Sequence, residues 1–141
     1  MDDSYQVVLK KNLATYLAAI PVGVYKPAAP YLATERGIFT TGPDVPTLNE
    51  FISLTTLTPF DDGRWNRVTP VQIRSRIVGT RNDADNLFEL IDGSLHDRER
   101  LQLGPLTFRI VQRNSALFIS ADQTKRVGYF QTYYFHGRKT T

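Results

Sequence analysis

Two histidines, His96 and His136, stand among fourteen carboxylates and seventeen basic side chains in this 141-residue chain, and there is no cysteine. A metal centre needs His, Cys or carboxylate ligands that converge on one point. The two histidines fall on different elements. His96 closes a helical segment, where the helix dipole favours a cation, and His136 lies in the tail of the chain. Asp61-Asp62-Gly63 opens like a calcium loop, but Trp65 and Arg67 stand where later ligands belong, so a turn is the better reading. No GxSxG, P-loop or GxGxxG is present. The carboxylates gather at helix starts and turns, where capping explains them better than acid–base pairing. The residues predict no catalytic site, no metal and no cofactor.

The arginines are the more informative group. They make up 12 of the 17 basic residues, and a guanidinium fork pairs bidentately with carboxylate or phosphate. In the segment VQIRSRIV, Arg74 and Arg76 alternate with Ile73, Ser75 and Ile77. Arg109 and Arg113 fall in a second alternating segment. Four arginines on one sheet face with Tyr or Phe between them would suit single-stranded nucleic acid. Against that, the pattern of aromatics spaced by Gly and basic residues is missing, and a net charge of +3 is mild. Contacts between protein subunits are the stronger expectation for Arg74, Arg76, Arg109 and Arg113. Trp65, at the tip of an expected hairpin, either folds back under its loop or meets another subunit.

Amphipathic patterns predict the elements that position these groups. Leu9, Leu13, Tyr16, Leu17 and Ile20 form one stripe of helical period between a cap-competent Asp2-Asp3-Ser4 and Pro21, predicting a helix over 3–20. Lys10, Lys11 and Asn12 take its wet side. Residues 22–26 and 37–41 read as short strands flanking a proline-rich stretch, KPAAPYLATERG, that covers other elements or reaches a neighbour. EFISLTTLTP, 50–59, reads as a strand joined through the Asp-Gly turn of DDGRWNR to a strand over 68–79.

A second helix is predicted over 82–96, capped by Asn82, with Ala84, Leu87, Leu90, Ile91 and Leu95 as its apolar stripe. It should pass through Gly93 at a cost of about 1 kcal/mol relative to Ala. Strands follow at 100–103, at 106–113 and at 127–136. In the second, Leu106, Phe108 and Ile110 oppose Thr107, Arg109 and Val111. The third is aromatic on both sides. Between the last two, 114–126 reads as a long connection with an apolar centre from Ala116 to Ile119, including Leu117 and Phe118. The fold class is therefore α+β, a mostly antiparallel β-sheet with two main helices packed on one face.

Length predicts one domain over 1–141. Hydrophobic content of 41% with 22% charged residues is that of a globular chain. An acidic start without an apolar run predicts no signal peptide or membrane span, and the missing cysteines suit a reducing cytosol.

Three stretches carry a family resemblance: NLATYLAAI, VQIRSRIVGTRNDADNLFELIDGSL and VQRNSALFISADQTKRVGYFQTYYFHGR. The chain resembles the tail terminator proteins of long-tailed bacteriophages, also labelled minor capsid or minor tail proteins. The shared order is an apolar-Gln-Ile-Arg-x-Arg strand, a turn, a helix ending at Leu95-His96, a Gln-Arg strand, a hairpin tip at Asp122, Lys125 and Arg126, and an aromatic strand from Tyr129 to Phe135. The likeness is weakest over 21–49.

The resemblance implies a virion protein of the phage tail or neck, assembled in the host cytoplasm with neither enzymatic activity nor a membrane partner. It implies a homo-hexameric ring on the end of the tail tube that ends tube growth. The partners it implies are the major tail tube protein and the head-completion or stopper protein, with the phage genome passing through the lumen. Under this reading Arg74, Arg76, Arg109 and Arg113 make inter-subunit or lumen contacts, and Trp65, Leu117 and Phe118 are apolar contacts. The alternatives are another neck component and, behind it, a nucleic-acid-binding domain.

Overall fold

The computed structural model describes residues 3–28, 30–41, 48–121 and 125–138. It contains two helices and one seven-stranded sheet. These are α1 (Tyr5–Ala19), β1 (Gly37–Phe39), β2 (Phe51–Thr56), β3 (Phe60–Asp61), β4 (Asn66–Val78), α2 (Arg81–Leu95), β5 (Arg98–Leu103), β6 (Leu106–Ile119) and β7 (Arg126–Arg138). The strand order is β1-β2-β4-β7-β6-β5, with the short β3 also paired to β4. Every pairing is antiparallel except β1 with β2. This is the expected α+β class.

Both helices lie on one face because each has one apolar stripe to bury. α1 contributes Leu9, Leu13, Ala14 and Leu17, and α2 contributes Ala84, Leu87, Ile91 and Leu95. These pack on the inward residues of β2, β4 and β7, among them Ile52, Leu54, Val71, Ile73, Tyr133 and Phe135. Ser4 caps α1, its side chain accepting from the Val7 N–H. α2 passes through Gly93 as expected, but its cap is Thr80, not Asn82. The Thr80 hydroxyl accepts from Asp83 N while the Asp83 carboxylate accepts from Thr80 N, a capping box. Leu90, assigned to the apolar stripe, is instead 48% exposed. The stripe needs only the 84, 87, 91 and 95 positions to cover the sheet.

Among the described residues no helix is long and apolar enough to cross a membrane. The 22–26 strand reduces to a single bridge, Val24 to Gly37, and the next strand ends at Phe39 rather than Thr41. The hairpin over 60–66 forms, with Gly63 at φ 84 supplying the turn.

The largest departure is in β6. Phe108 pairs with Gly137 and Ile110 with His136, so Arg109 is an extra, bulged residue; Asn114 is a second one between Arg113 and Ser115. The first bulge exchanges the faces. Val111, expected opposite Phe108, joins it in the core, and Ile110 turns to the other side. The stretch 114–119, expected as part of a loop, is strand paired with β7 as far as Gly128.

Candidate assembly face

The helix-free face of the sheet is where half of the arginine set meets. On β4, Val71, Ile73, Ser75 and Ile77 are buried toward the helices, leaving Gln72, Arg74 and Arg76 on the open face. Cross-strand registers set out the rows there. One runs Ser53, Arg74, Phe130, Leu117, and the next runs Thr55, Gln72, Thr132, Ser115. The Arg74 guanidinium lies 5.0 Å from the Phe130 ring centroid and 6.0 Å from that of Phe51. Rings on both sides hold the planar cation against the sheet. Arg76 is anchored differently: its Nη1 donates to the Arg126 carbonyl at 3.0 Å.

A cleft of about 510 Å³ adjoins Arg74 along β2, and Lys10, Thr40, Ser53, Thr55 and Phe130 are among its lining residues. Two cations and several hydroxyls in one cleft suit an anionic or strongly polar partner. Lys10 and the β2 hydroxyls join the site without being among the residues that the sequence patterns single out. Their signal was present in FISLTT, where Phe51, Ser53 and Thr55 alternate with apolar residues.

The remaining expected contacts lie elsewhere. Arg113 is on the helix side of the sheet, where Nη1 donates to Asp92 Oδ2 at 2.8 Å. The expectation of four arginines on one face is thereby corrected, because the bulge at Arg109 reverses the parity of β6 from Ile110 to Arg113, until the second bulge at Asn114 restores it. Arg109 itself is exposed on the bulge. Phe118 also faces the helices, stacking edge-on to Tyr129 at 5.6 Å with Arg81 at 4.2 Å from its ring. Leu117 is 66% exposed on the open face and Trp65 is 54% exposed at its turn, with Arg64 over the indole at 5.1 Å. Asp122, expected at a hairpin tip, lies outside the described residues.

His136 occupies the same open face, between Val68 and Ile110 across the ladder. Neither imidazole nitrogen has a hydrogen-bond partner among the described residues. Burial, followed by the nearby Arg109 charge, holds its pKa below the ordinary 6.5, against a weaker opposing pull from Asp62. His96 accepts from Arg113 N through Nδ1 at 2.9 Å. Among the described residues no group of three His, Cys, Asp or Glu side chains could hold a metal ion.

A face of arginine, aromatic and hydroxyl rows is suited to recognition. No family model and no curated protein matches the sequence. The fold is similar to that of a chain in the solved structure of the virion of native gene transfer agent (GTA) particle, with a TM-score of 0.62 at 13% identity. That likeness spans 96% of this chain and 100% of the other. At such identity the shared property is the fold.

Proposed function

We propose that this chain is a structural protein of a phage-like virion, without enzymatic activity, that caps the end of a tail tube as a hexameric ring. In that role it ends tube growth and presents the tail-side surface that joins the head. The observation that carries the reading is the likeness over nearly the full length of both chains to a component of the gene transfer agent virion. The resemblance of the sequence to tail terminators supplies the finer role, and the open face supplies a surface suited to it. A ring needs two different lateral surfaces that pair heterologously and close. Arg74 and Arg76 are placed where they can meet carboxylates of a neighbouring copy or of the tube, and Leu117 and Trp65 are apolar side chains available for burial. The head-completion protein and the tube protein are the partners, and the genome passes through the lumen.

Electron microscopy of tails assembled without this protein tests the role. Tubes of uncontrolled length that fail to join heads are expected. Tails of normal length that lack only head attachment would move the chain to another place in the neck. Normal tails that still join heads would end the reading.

A further inference from the structure

Among the described residues the sheet has two bare stretches of edge, and they match. On one side β1 covers β2 only as far as Ser53, leaving Leu54 to Thr56 without a strand partner on the outer side among the described residues. On the other side β5 covers β6 only as far as Val111, and the His96 side chain takes the Arg113 N–H. Beyond it, the outer edge from Asn114 to Ile119 has no strand partner among the described residues. Unpaired edges are ordinarily blocked by charges, kinks or cover. The outer edge of β5 is blocked in this way: Arg98, Glu99 and Arg100 line it, and Arg100 has φ 53. The two bare stretches, NSALFI and LTT, contain no charge at all.

Their placement is complementary. Thr55 lies in one cross-strand row with Ser115, and Leu54 in the next row with Ala116. Three antiparallel steps from β2 through β4 and β7 leave β6 running opposite to β2. If β2 of a second copy were laid beside β6, the two would pair antiparallel, with Thr55 beside Ser115 and open face continuing open face. No register slip is needed to keep the pleat in phase. The cleft of about 510 Å³ borders Leu54, Thr55 and Thr56 on this edge.

We propose that the outer edge of β6, Asn114 to Ile119, adds as a strand to the outer edge of β2 in a second copy of this chain, so that one sheet runs from subunit to subunit. The inference rests on the ring reading. It specifies the contact: main-chain hydrogen bonds give the attachment, and the head-to-tail pairing repeats from copy to copy as a ring requires.

The absence of native cysteine makes the test unambiguous. Thr55 and Ser115 are both exposed, so Thr55→Cys and Ser115→Cys are mild changes, and a thermal melt checks the fold. With a short bis-maleimide the double variant should give a ladder of cross-linked multimers and lose most of its monomer band. Each single variant should stay monomeric on the gel. Dimers from Ser115→Cys alone would mean that β6 pairs with β6, overturning the proposal. Native mass spectrometry separates the remaining outcomes. A ring without a ladder overturns strand addition and leaves the ring standing; a monomer without a ladder overturns both.

Discussion

Arg113 on β6 donates to Asp92 on α2 at 2.8 Å, and the other oxygen of the same carboxylate accepts from the Tyr133 hydroxyl at 2.7 Å. Tyr133 in turn accepts from Gln131 Nε2 at 2.9 Å. One helix carboxylate thus ties two neighbouring strands to α2 beneath the sheet. Its two bonds differ in worth, because Tyr133 is fully buried and the Arg113 side chain is about a third exposed. Asp92→Ala leaves a buried hydroxyl without its acceptor and should cost about 1–3 kcal/mol. Arg113→Ala should cost only about 0.2–1 kcal/mol, as for a solvent-screened pair. Urea unfolding of both variants and the double variant checks this. Equal losses for the two would mean that the carboxylate serves Arg113 alone.

The same network makes stability fall in alkali. Burial first, and then the bond to Asp92, hold the Tyr133 hydroxyl protonated far above its ordinary pKa of 10.0. The unfolded chain loses that proton near pH 10 while the folded chain keeps it. The contribution is therefore complete below pH 10 and declines as the pH rises further. Tyr31 and Tyr129 are shifted upward as well, so some slope will remain in any single variant. Tyr133→Phe should flatten the decline of unfolding free energy above pH 10. A slope unchanged by that substitution would show that the hydroxyl is not held protonated.

His136 gives the opposite sign at the acid end. Its folded pKa is lowered, so the unfolded chain takes up a proton that the folded chain resists. Stability from the neutral imidazole is present above about pH 6.5 and is lost as pH falls through that value. The groups facing it are Arg109, which lowers the pKa further, and Asp62, which opposes that effect. Thermal melts between pH 7.5 and pH 5, taken on the parent and on His136→Phe, should show a drop that the variant lacks.

Much of this architecture was legible because its patterns are periodic. The Leu9, Leu13, Leu17 spacing located α1, and the alternation around Arg74 and Arg76 gave β4 with its faces assigned the right way round. What failed was local and aperiodic. A bulge adds one residue without any compositional mark, so nothing near Arg109 announced that Val111 and Arg113 would turn toward the helices. NSALFI reads as loop in the sequence because it lacks alternation. It lacks alternation because 114–117 are exposed on both sides of the sheet, so neither face demands apolar residues there. Thr80 and Asn82 are both able caps, each with an aspartate three residues on (Asp83 and Asp85), so the spacing does not decide between them; the box that forms is that of Thr80 and Asp83.

Gly128 is required where β7 crosses β4. A Cβ placed there would lie 1.8 Å from the Ser75 carbonyl oxygen, a clash with main chain that no rotamer relieves. Gly128→Ala must push the two central strands apart at the row that holds Arg76. The expected loss is about 3 kcal/mol or more, at the upper end for overpacking, read as a shift of the urea midpoint. A loss under about 1 kcal/mol would mean that the strands separate there without resistance.

Arg74 and Arg113 provide the sharpest contrast for assembly, because the sheet sends one to the open face and the other to the helices. Arg74 sits between the Phe51 and Phe130 rings beside a cleft that also receives Lys10. If that face meets carboxylates on another copy or on the tube, Arg74→Glu sets like charges against each other at the contact. The concentration needed for ring formation should then rise more than tenfold, a change of at least about 1.4 kcal/mol. Its thermal midpoint should fall modestly, because the ring contacts with Phe51 and Phe130 are lost, while the chain stays folded. Arg76→Glu should also block assembly, but Arg76 donates to the Arg126 carbonyl, so Arg76→Gln serves as its control. Arg113→Glu should lower the melting temperature through Asp92 and still form rings wherever it remains folded. Native mass spectrometry over a concentration series, with negative-stain microscopy of capped tubes, reads all four variants. Rings formed by Arg74→Glu at the parent's concentration would remove this face from the assembly contact.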